Sequence, residues 1–294
     1  MEMPSFWSGW ISILSLFTIA LVSVILYFSN KDNPETLGKP TGHDYDGIQE
    51  YDNALPKWWV VMYVASIIFA LGYLVMYPGL GNWKGVFGWT QVGQYEEEVA
   101  QAEHKYGPIY ARFGKMPIEE VAKDPKAMRI AQRLFIDNCS LCHGSDARGN
   151  HGFPNLTDND WLYGGSPEEI KTTITHGRQG AMPAWNAKLS DESIDNVTQY
   201  VMSLGGREAD NSKTEAGSKV FKDNCALCHT AEGTGNKMFG APNLTDKIWL
   251  YGGAESQIKQ TIRYGRNGHM PAQKESLTAD KIHLLSGYVY SLSM

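Results

Sequence analysis

The sequence predicts a mostly α-helical protein, with two N-terminal membrane-spanning helices followed by two tandem small helical domains. Three observations carry this expectation: two long uncharged apolar stretches near the N-terminus, a C-terminal half that repeats itself, and one Cys-x-x-Cys-His string in each repeat. All four cysteines of the 294-residue chain fall in those two strings.

The first apolar stretch, Trp7 to Phe28, runs 22 residues without a charge, and the second, Trp58 to Tyr77, runs 20. At about 1.5 Å per helical residue each spans roughly the 30 Å of a hydrocarbon core. Both are apolar all round, unlike a helix with one buried face, and Trp7, Trp10, Tyr27, Trp58, Trp59 and Tyr77 stand at their ends, where amphipathic rings meet the headgroups. The first stretch lacks a basic flank and an A-x-A-like cleavage site, so it is expected to remain as an anchor rather than act as a signal peptide. Lys31, Lys39 and Lys57 lie in the loop between the spans and no lysine precedes the first. The positive-inside bias therefore puts the loop in the cytoplasm and both termini outside.

A Gly- and aromatic-rich exit, "PGLGNWKGVFGW", follows the second span, and residues 93–114 read as a charged stalk or surface helix. From about residue 117 the chain repeats. "CSLCH", "PNLTDNDWLYGG", "HGRQGAMPAW" and a final helix "SDESIDNVTQYVMSL" recur as "CALCH", "PNLTDKIWLYGG", "YGRNGHMPAQ" and "TADKIHLLSGYVYSL". The offset is 86 residues at the cysteines and a constant 88 from Pro154/Pro242 onward, so the second copy carries a two-residue insertion. Ala127, Ile130, Ala131, Leu134 and Phe135 share one helical face before the first cysteine. Ser190 and Thr278 are set to cap the closing helices, which turn Ile194, Val197, Val201 and Leu204, or Ile282, Leu285, Val289 and Leu292, inward. No alternating pattern of useful length announces a strand. The expected boundaries are transmembrane helix 1 at 1–29, cytoplasmic loop 30–57, transmembrane helix 2 at 58–78, juxtamembrane linker 79–116, and repeat domains 117–207 and 208–294.

Twenty-six basic against 32 acidic side chains, with a pI of about 5.8, argue against nucleic acid as a partner, since phosphate binding needs a basic face. The cysteines point elsewhere. Cys-x-x-Cys-His places two thiols within one helical turn for the two vinyl groups of a porphyrin, with the adjacent histidine under the iron. Thioredoxin-like chemistry calls for a βαβ context and has no use for the histidine, while zinc would need more Cys or His at finger spacing. Each repeat is thus expected to hold one covalent haem c, on Cys139, Cys142 and His143 and on Cys225, Cys228 and His229.

Met182 lies 39 residues after His143 and Met270 lies 41 after His229, the difference equalling the insertion. A thioether raises the potential and closes the sixth position, so Met182 is expected on the first iron and Met270 on the second. His269 is the rival in the second copy, but Ala181 stands at its counterpart. His176 pairs with Tyr264 and His283 with Asp195, which makes both poor ligands; His43, His104 and His151 read as surface residues. Pro154 and Pro242 are placed to offer backbone oxygens to the proximal histidines. Trp161, Tyr163, Trp249 and Tyr251 are candidates to line the haem crevices, with ordinary core packing the competing role. Arg178 and Arg266 are candidates to face haem propionates. Haem attachment outside the cytoplasmic membrane of bacteria puts these domains in the periplasm, as the lysine bias does.

The paired "CSLCH"/"CALCH" and "GAMP"/"GHMP" motifs resemble tandem class I cytochrome c domains. "GHDYDGIQEYDNALPKWW" at 42–59, leading straight into a span, narrows the resemblance to the dihaem subunit III (FixP/CcoP type) of cbb3-type cytochrome c oxidases. It covers nearly the whole chain; the span before that segment is an addition relative to shorter members. The resemblance implies a subunit of the bacterial inner membrane that does no oxygen chemistry itself. It would take electrons from a donor cytochrome c and pass them, with a monohaem cytochrome c subunit, to a catalytic subunit with b-type haems and copper. The alternatives are a free-standing membrane-anchored dihaem shuttle, a dihaem peroxidase and a haem gas sensor; the last two need an open iron position, against which the paired methionines speak.

Overall fold

A computed structural model describes residues 3–294 as two compact units, one reaching to Glu103 and the other running from His104 to Met294. In the first unit, helix α1 (Ser5–Ser29) and helix α2 (Lys57–Met76) bury no residue within the protein. With mean hydropathies of 2.5 and 2.2 they are two helices long and apolar enough to cross a membrane. Their polar side chains turn inward on the backbone: Ser12, Thr18 and Ser23 donate to the carbonyls four residues earlier, at 2.9, 2.8 and 2.7 Å. Those three hydroxyls are then satisfied within the helix itself. Asn82 ties the ends of the spans together, donating from its backbone to Ser8 Oγ at 2.9 Å and bracketing both backbone groups of Met3 with its carboxamide.

Between the spans lies a β-hairpin that the sequence reading did not include, β1 (Pro40–Tyr45) with β2 (Ile48–Tyr51). Its turn is Asp46-Gly47, both with positive φ (53° and 87°), the combination a tight two-residue hairpin turn demands. The Asp-Gly pair was the available signal; the strands flanking it are fully exposed and so lack the apolar alternation that marks a half-buried strand.

Helix α3 (Gln91–Gly114) leads into the second unit. Its charged length agrees with a surface helix, yet its end is no free stalk, because Phe113 is fully buried against Val121, Ala127, Ala131 and Leu284. Then come α4 (Ile118–Val121), α5 (Pro125–Asn138), α6 (Ser140–His143), α7 (Pro167–His176), β3 (Arg178–Met182) and α8 (Asp191–Leu204). The second repeat supplies α9 (Asn211–Asn224), α10 (Ala226–His229), α11 (Glu255–Tyr264), β4 (Arg266–Met270) and α12 (Ala279–Ser291). Asp124 caps α5 ahead of Pro125, a Ser166–Glu169 capping box opens α7, and Ser190 caps α8 through the Ser193 amide. Thr278, expected to do the same for α12, makes no side-chain cap.

The repeats do not close on themselves. Helix α12 of the second repeat packs against α5 and α7 of the first, and α8 of the first packs against α9 and α11 of the second. One core accordingly joins Phe135, Ile170 and Ile174 to Ile282, Leu285 and Val289. The other joins Ile194, Val197 and Val201 to Phe221, Ile258 and Ile262. The expected domains 117–207 and 208–294 are sequence repeats, but they are not the packing units. The physical reason lies in the connection: Gly205–Asp210, only six residues, separates α8 from α9, and consecutive helices on so short a link fold back as neighbours. Buried Gln199 secures that link by accepting from the Asp210 amide at 2.9 Å. The five residue pairs that close the exchange, β3 on β4, were likewise unannounced by the sequence.

Candidate functional site

Each Cys-x-x-Cys-His string follows a long helix that ends on its first cysteine, so the two thiols sit on one short turn. The intervening Leu141 and Leu227 are 96% and 84% exposed, which leaves the cysteine face turned inward. None of the four cysteines is paired in a disulfide. Burial, and then the neighbouring cysteine, pushes the Cys139 thiol up to about 11, and the same causes push Cys225 up to about 11. Such thiols are poor thiolate nucleophiles at neutral pH, which disfavours dithiol redox chemistry.

The proximal histidines are held as expected. His143 Nδ1 donates to the Pro154 carbonyl at 3.0 Å, and His229 Nδ1 to the Pro242 carbonyl at 3.1 Å. Burial lowers the affinity of both rings for a second proton, more than the carbonyl raises it. A neutral ring with Nδ1–H committed to a carbonyl leaves the Nε2 lone pair for a metal. Five-residue turns after each string, Gly149 N to His143 O and Gly235 N to His229 O, fix the ring's backbone at 2.8 and 3.0 Å.

The methionines pack across the repeats rather than within them. Met270, not Met182, packs on the core that holds Cys139, Leu156 and Trp161. Met182 packs on the core that holds Cys225, Leu244 and Trp249. The strands bearing them pair antiparallel, with Arg178 opposite Met270 and Met182 opposite Arg266. Each methionine loop is then laid on the helix of the other repeat: Gln273 N reaches Ile174 O at 3.0 Å, and Trp185 N reaches Ile262 O at 3.1 Å. Gly177 and Gly265 make room for the crossing. Both have positive φ (69° and 71°), and a Cβ on either would lie 2.2 Å from Met270 O or 2.4 Å from Met182 O. The sequence reading missed these glycines, although both follow a helix end and precede the repeated arginine.

Arg178 lies over the Tyr163 ring at 4.7 Å and Arg266 over Tyr251 at 4.3 Å, each guanidinium also donating to a threonine of the preceding helix, Thr173 or Thr261. Trp161 and Trp249 pack on the two cores beside the cysteines, as crevice-lining residues would. His269 is exposed and hydrogen-bonded to Gln179 Oε1 at 2.8 Å, across the strands. His283 is buried on the Met116 carbonyl at 2.8 Å, His176 is exposed, and His151 meets the edge of Tyr251. No cluster of three or more His, Cys, Asp or Glu that could hold a bare metal ion occurs among the described residues.

These residues fit a covalently attached haem c. Paired inward thiols, a neutral imidazole with its second nitrogen free and a thioether on the same core are the donor set. Among the described residues, Trp249 Nε1 is the one buried side-chain polar atom without a partner, in a protein interior where such groups are nearly always paired. A carboxylate at the edge of a haem is an acceptor of the kind that N–H lacks.

Comparisons with known proteins agree in both parts of the chain. Residues 38–84 match the family described as the N-terminal domain of cytochrome oxidase-cbb3, FixP. Residues 126–201 and 212–289 each match the family described as cytochrome c oxidase, cbb3-type, subunit III. A cbb3-type cytochrome c oxidase subunit CcoP of Rubrivivax gelatinosus is 43% identical over 289 residues, covering 98% of this chain and 95% of that protein. A FixP subunit of Azorhizobium caulinodans is 41% identical over 86% of this chain and 92% of its own length, and a CcoP subunit of Cereibacter sphaeroides is 36% identical over 90% and 98%.

Proposed function

The chain belongs to the cbb3-type cytochrome c oxidase subunit III family, and from that premise we propose that it is the periplasmic electron-accepting arm of such an oxidase. It carries two haems c, one on Cys139 and Cys142 and one on Cys225 and Cys228. His143 and Met270 ligate the first iron; His229 and Met182 ligate the second. Cytochrome c character and membrane anchoring follow from the family and the two apolar helices. Bacterial inner-membrane placement, with haem domains and termini on the periplasmic side, rests on the lysine bias of the 30–57 loop and on where haem c is attached.

When bound, haem c supplies an iron that takes up and gives back one electron. The residues that would hold that group are the carbonyl-anchored imidazoles of His143 and His229, the methionine thioethers and the paired cysteines. A methionine packed on each cysteine core is the observation that carries the reading, because a thioether there would close the iron's remaining position and suit relay rather than oxygen or peroxide chemistry. The role is accordingly non-catalytic within the complex, with oxygen reduced on a partner subunit that holds b-type haem and copper. A monohaem cytochrome c subunit and a soluble or membrane donor cytochrome c complete the path.

Mild-detergent purification through a tag on this chain tests the proposal, with haem spectra and oxygen uptake measured on what copurifies. Additional subunits, b-type haem and oxygen consumption with a reduced cytochrome donor are expected. Recovery of c-type haem on this chain alone would instead indicate a free-standing anchored shuttle.

A further inference from the structure

The crossing of the repeats extends beyond the methionines to the histidine side of each site. Tyr163 and Tyr251 are counterparts in the two copies, both half-buried. Each packs on the loop that follows the Cys-x-x-Cys-His string of the other repeat. A Cβ added at Gly240 would run into the Tyr163 ring, 2.6 Å from Cε1. A Cβ added at Gly152 would lie 3.2 Å from Tyr251 Cε1, and His151 meets the same ring edge-on, 5.8 Å between centroids. Beside that ring, Gly152 N donates to Leu250 O at 2.9 Å.

These loops lead directly to the proximal histidines. Asn150 and Phe153 exchange backbone hydrogen bonds at 3.0 and 2.8 Å, and the next residue, Pro154, supplies the carbonyl that accepts from His143. Asn236 and Ala241 do the same at 2.9 and 3.1 Å, and Pro242 follows with the carbonyl for His229. Gly152 and Gly240 each stand two residues before the proline, so a ring seated on either glycine fixes the carbonyl that orients an imidazole. Each tyrosine is steadied in turn from its own repeat, by Arg178 over Tyr163 and Arg266 over Tyr251.

We propose that Tyr251 is a positioning residue for His143 and Tyr163 a positioning residue for His229, each acting across the repeats through the proline carbonyl; this rests on the two-haem reading above. A carbonyl that accepts the Nδ1–H makes the ring a stronger ligand, and a stronger ligand favours the oxidised iron. A carbonyl that drifts therefore lets the potential rise. Loss of a ring acts here rather than on the methionines, because β3 and β4 are held to one another by five residue pairs. The two sites depend on the ring to different degrees. Gly152 keeps its bond to Leu250 O when Tyr251 is lost, whereas Gly240 makes no such backbone bond among the described residues.

Spectroelectrochemical titration of the purified full-length protein in detergent tests this, resolving two c-type components. Proteins that keep one attachment site, Cys225→Ala with Cys228→Ala or Cys139→Ala with Cys142→Ala, assign the first and second components. Tyr163→Ala is expected to raise the second component by about threefold to tenfold in its reduction equilibrium, the weight of one hydrogen bond, and to leave the first in place. Tyr251→Ala should raise the first component, by less, and leave the second. Tyr163→Phe and Tyr251→Phe, which keep the rings on the glycines, should retain the wild-type values. Both haems should stay closed to carbon monoxide in all four variants. Should an alanine variant not load haem, the leucine variant, which fills space without a flat ring, carries the same expectation. The proposal is overturned if Tyr163→Ala leaves the second component in place or Tyr251→Ala leaves the first, or if each moves the component of its own repeat instead. A downward shift, an iron opened to carbon monoxide, or a phenylalanine variant that behaves as the alanine one overturns it as well. If the single-site proteins do not each retain one component, the two-haem reading itself falls and takes this proposal with it.

Discussion

Met270 and Met182 are the residues whose identity was readable and whose partners were not. Matched spacing after each histidine, 39 and 41 residues, marked both as candidate ligands and suggested a partner within the same repeat, whereas each packs on the core of the other. The correction can be tested in a protein that keeps only the first attachment site, Cys225→Ala with Cys228→Ala. There, Met270→Ala should open the remaining haem to carbon monoxide and Met182→Ala should leave it closed, as read by a difference spectrum. Asp195 illustrates the charges that hold the exchanged helix. Hydrogen bonds from Lys259 and then Lys213 hold its carboxyl below the usual carboxylate range. A depressed folded-state pKa stabilises above the unfolded value near 4 and is lost as pH falls through the folded value. Asp195→Asn should therefore cost about 1 kcal/mol of unfolding free energy at neutral pH. In chemical denaturation series, that difference should persist from about pH 5 upward and vanish in acid below the folded pKa.

Helices were legible where an apolar stripe or a cap announced them. The face carrying Ala127, Ala131 and Phe135 is buried as its period required, and Ser190 caps α8. The strands were not legible, for two different reasons. β1 and β2 are exposed on both faces, so no burial pattern was written into them. β3 and β4 are five residues each and exist because two loops from different repeats meet. Their geometry depends on the glycines at their heads. Gly177→Ala forces a side chain into positive φ and onto Met270 O. It should lower stability by about 1–3 kcal/mol. By calorimetry the variant should melt earlier, and by difference spectroscopy the Cys139–Cys142 haem should bind carbon monoxide while the other stays closed.

The unit from His104 to Met294 is a single packing unit made of two sequence repeats. A fragment of residues 117–207 carries a complete repeat but lacks α12, so Phe135, Ile170 and Ile174 lose the Ile282, Leu285 and Val289 that cover them. It should elute as an aggregate or an exchanged dimer in size-exclusion chromatography. The 104–294 fragment should be monomeric, with both haems closed to carbon monoxide. By itself the sequence determined what local chemistry and periodicity encode: two candidate spans from uninterrupted apolar length, the two Cys-x-x-Cys-His strings, the Pro154 and Pro242 carbonyls, and the candidate methionines. The tertiary structure alone decided which methionine and which closing helix pack on which core. Two repeats with the same apolar pattern offer each half two acceptable partners, and that pattern cannot choose between them. The choice falls to the six-residue link from Gly205 to Asp210, which lays α8 against α9 and so commits Met182 to the second core and Met270 to the first.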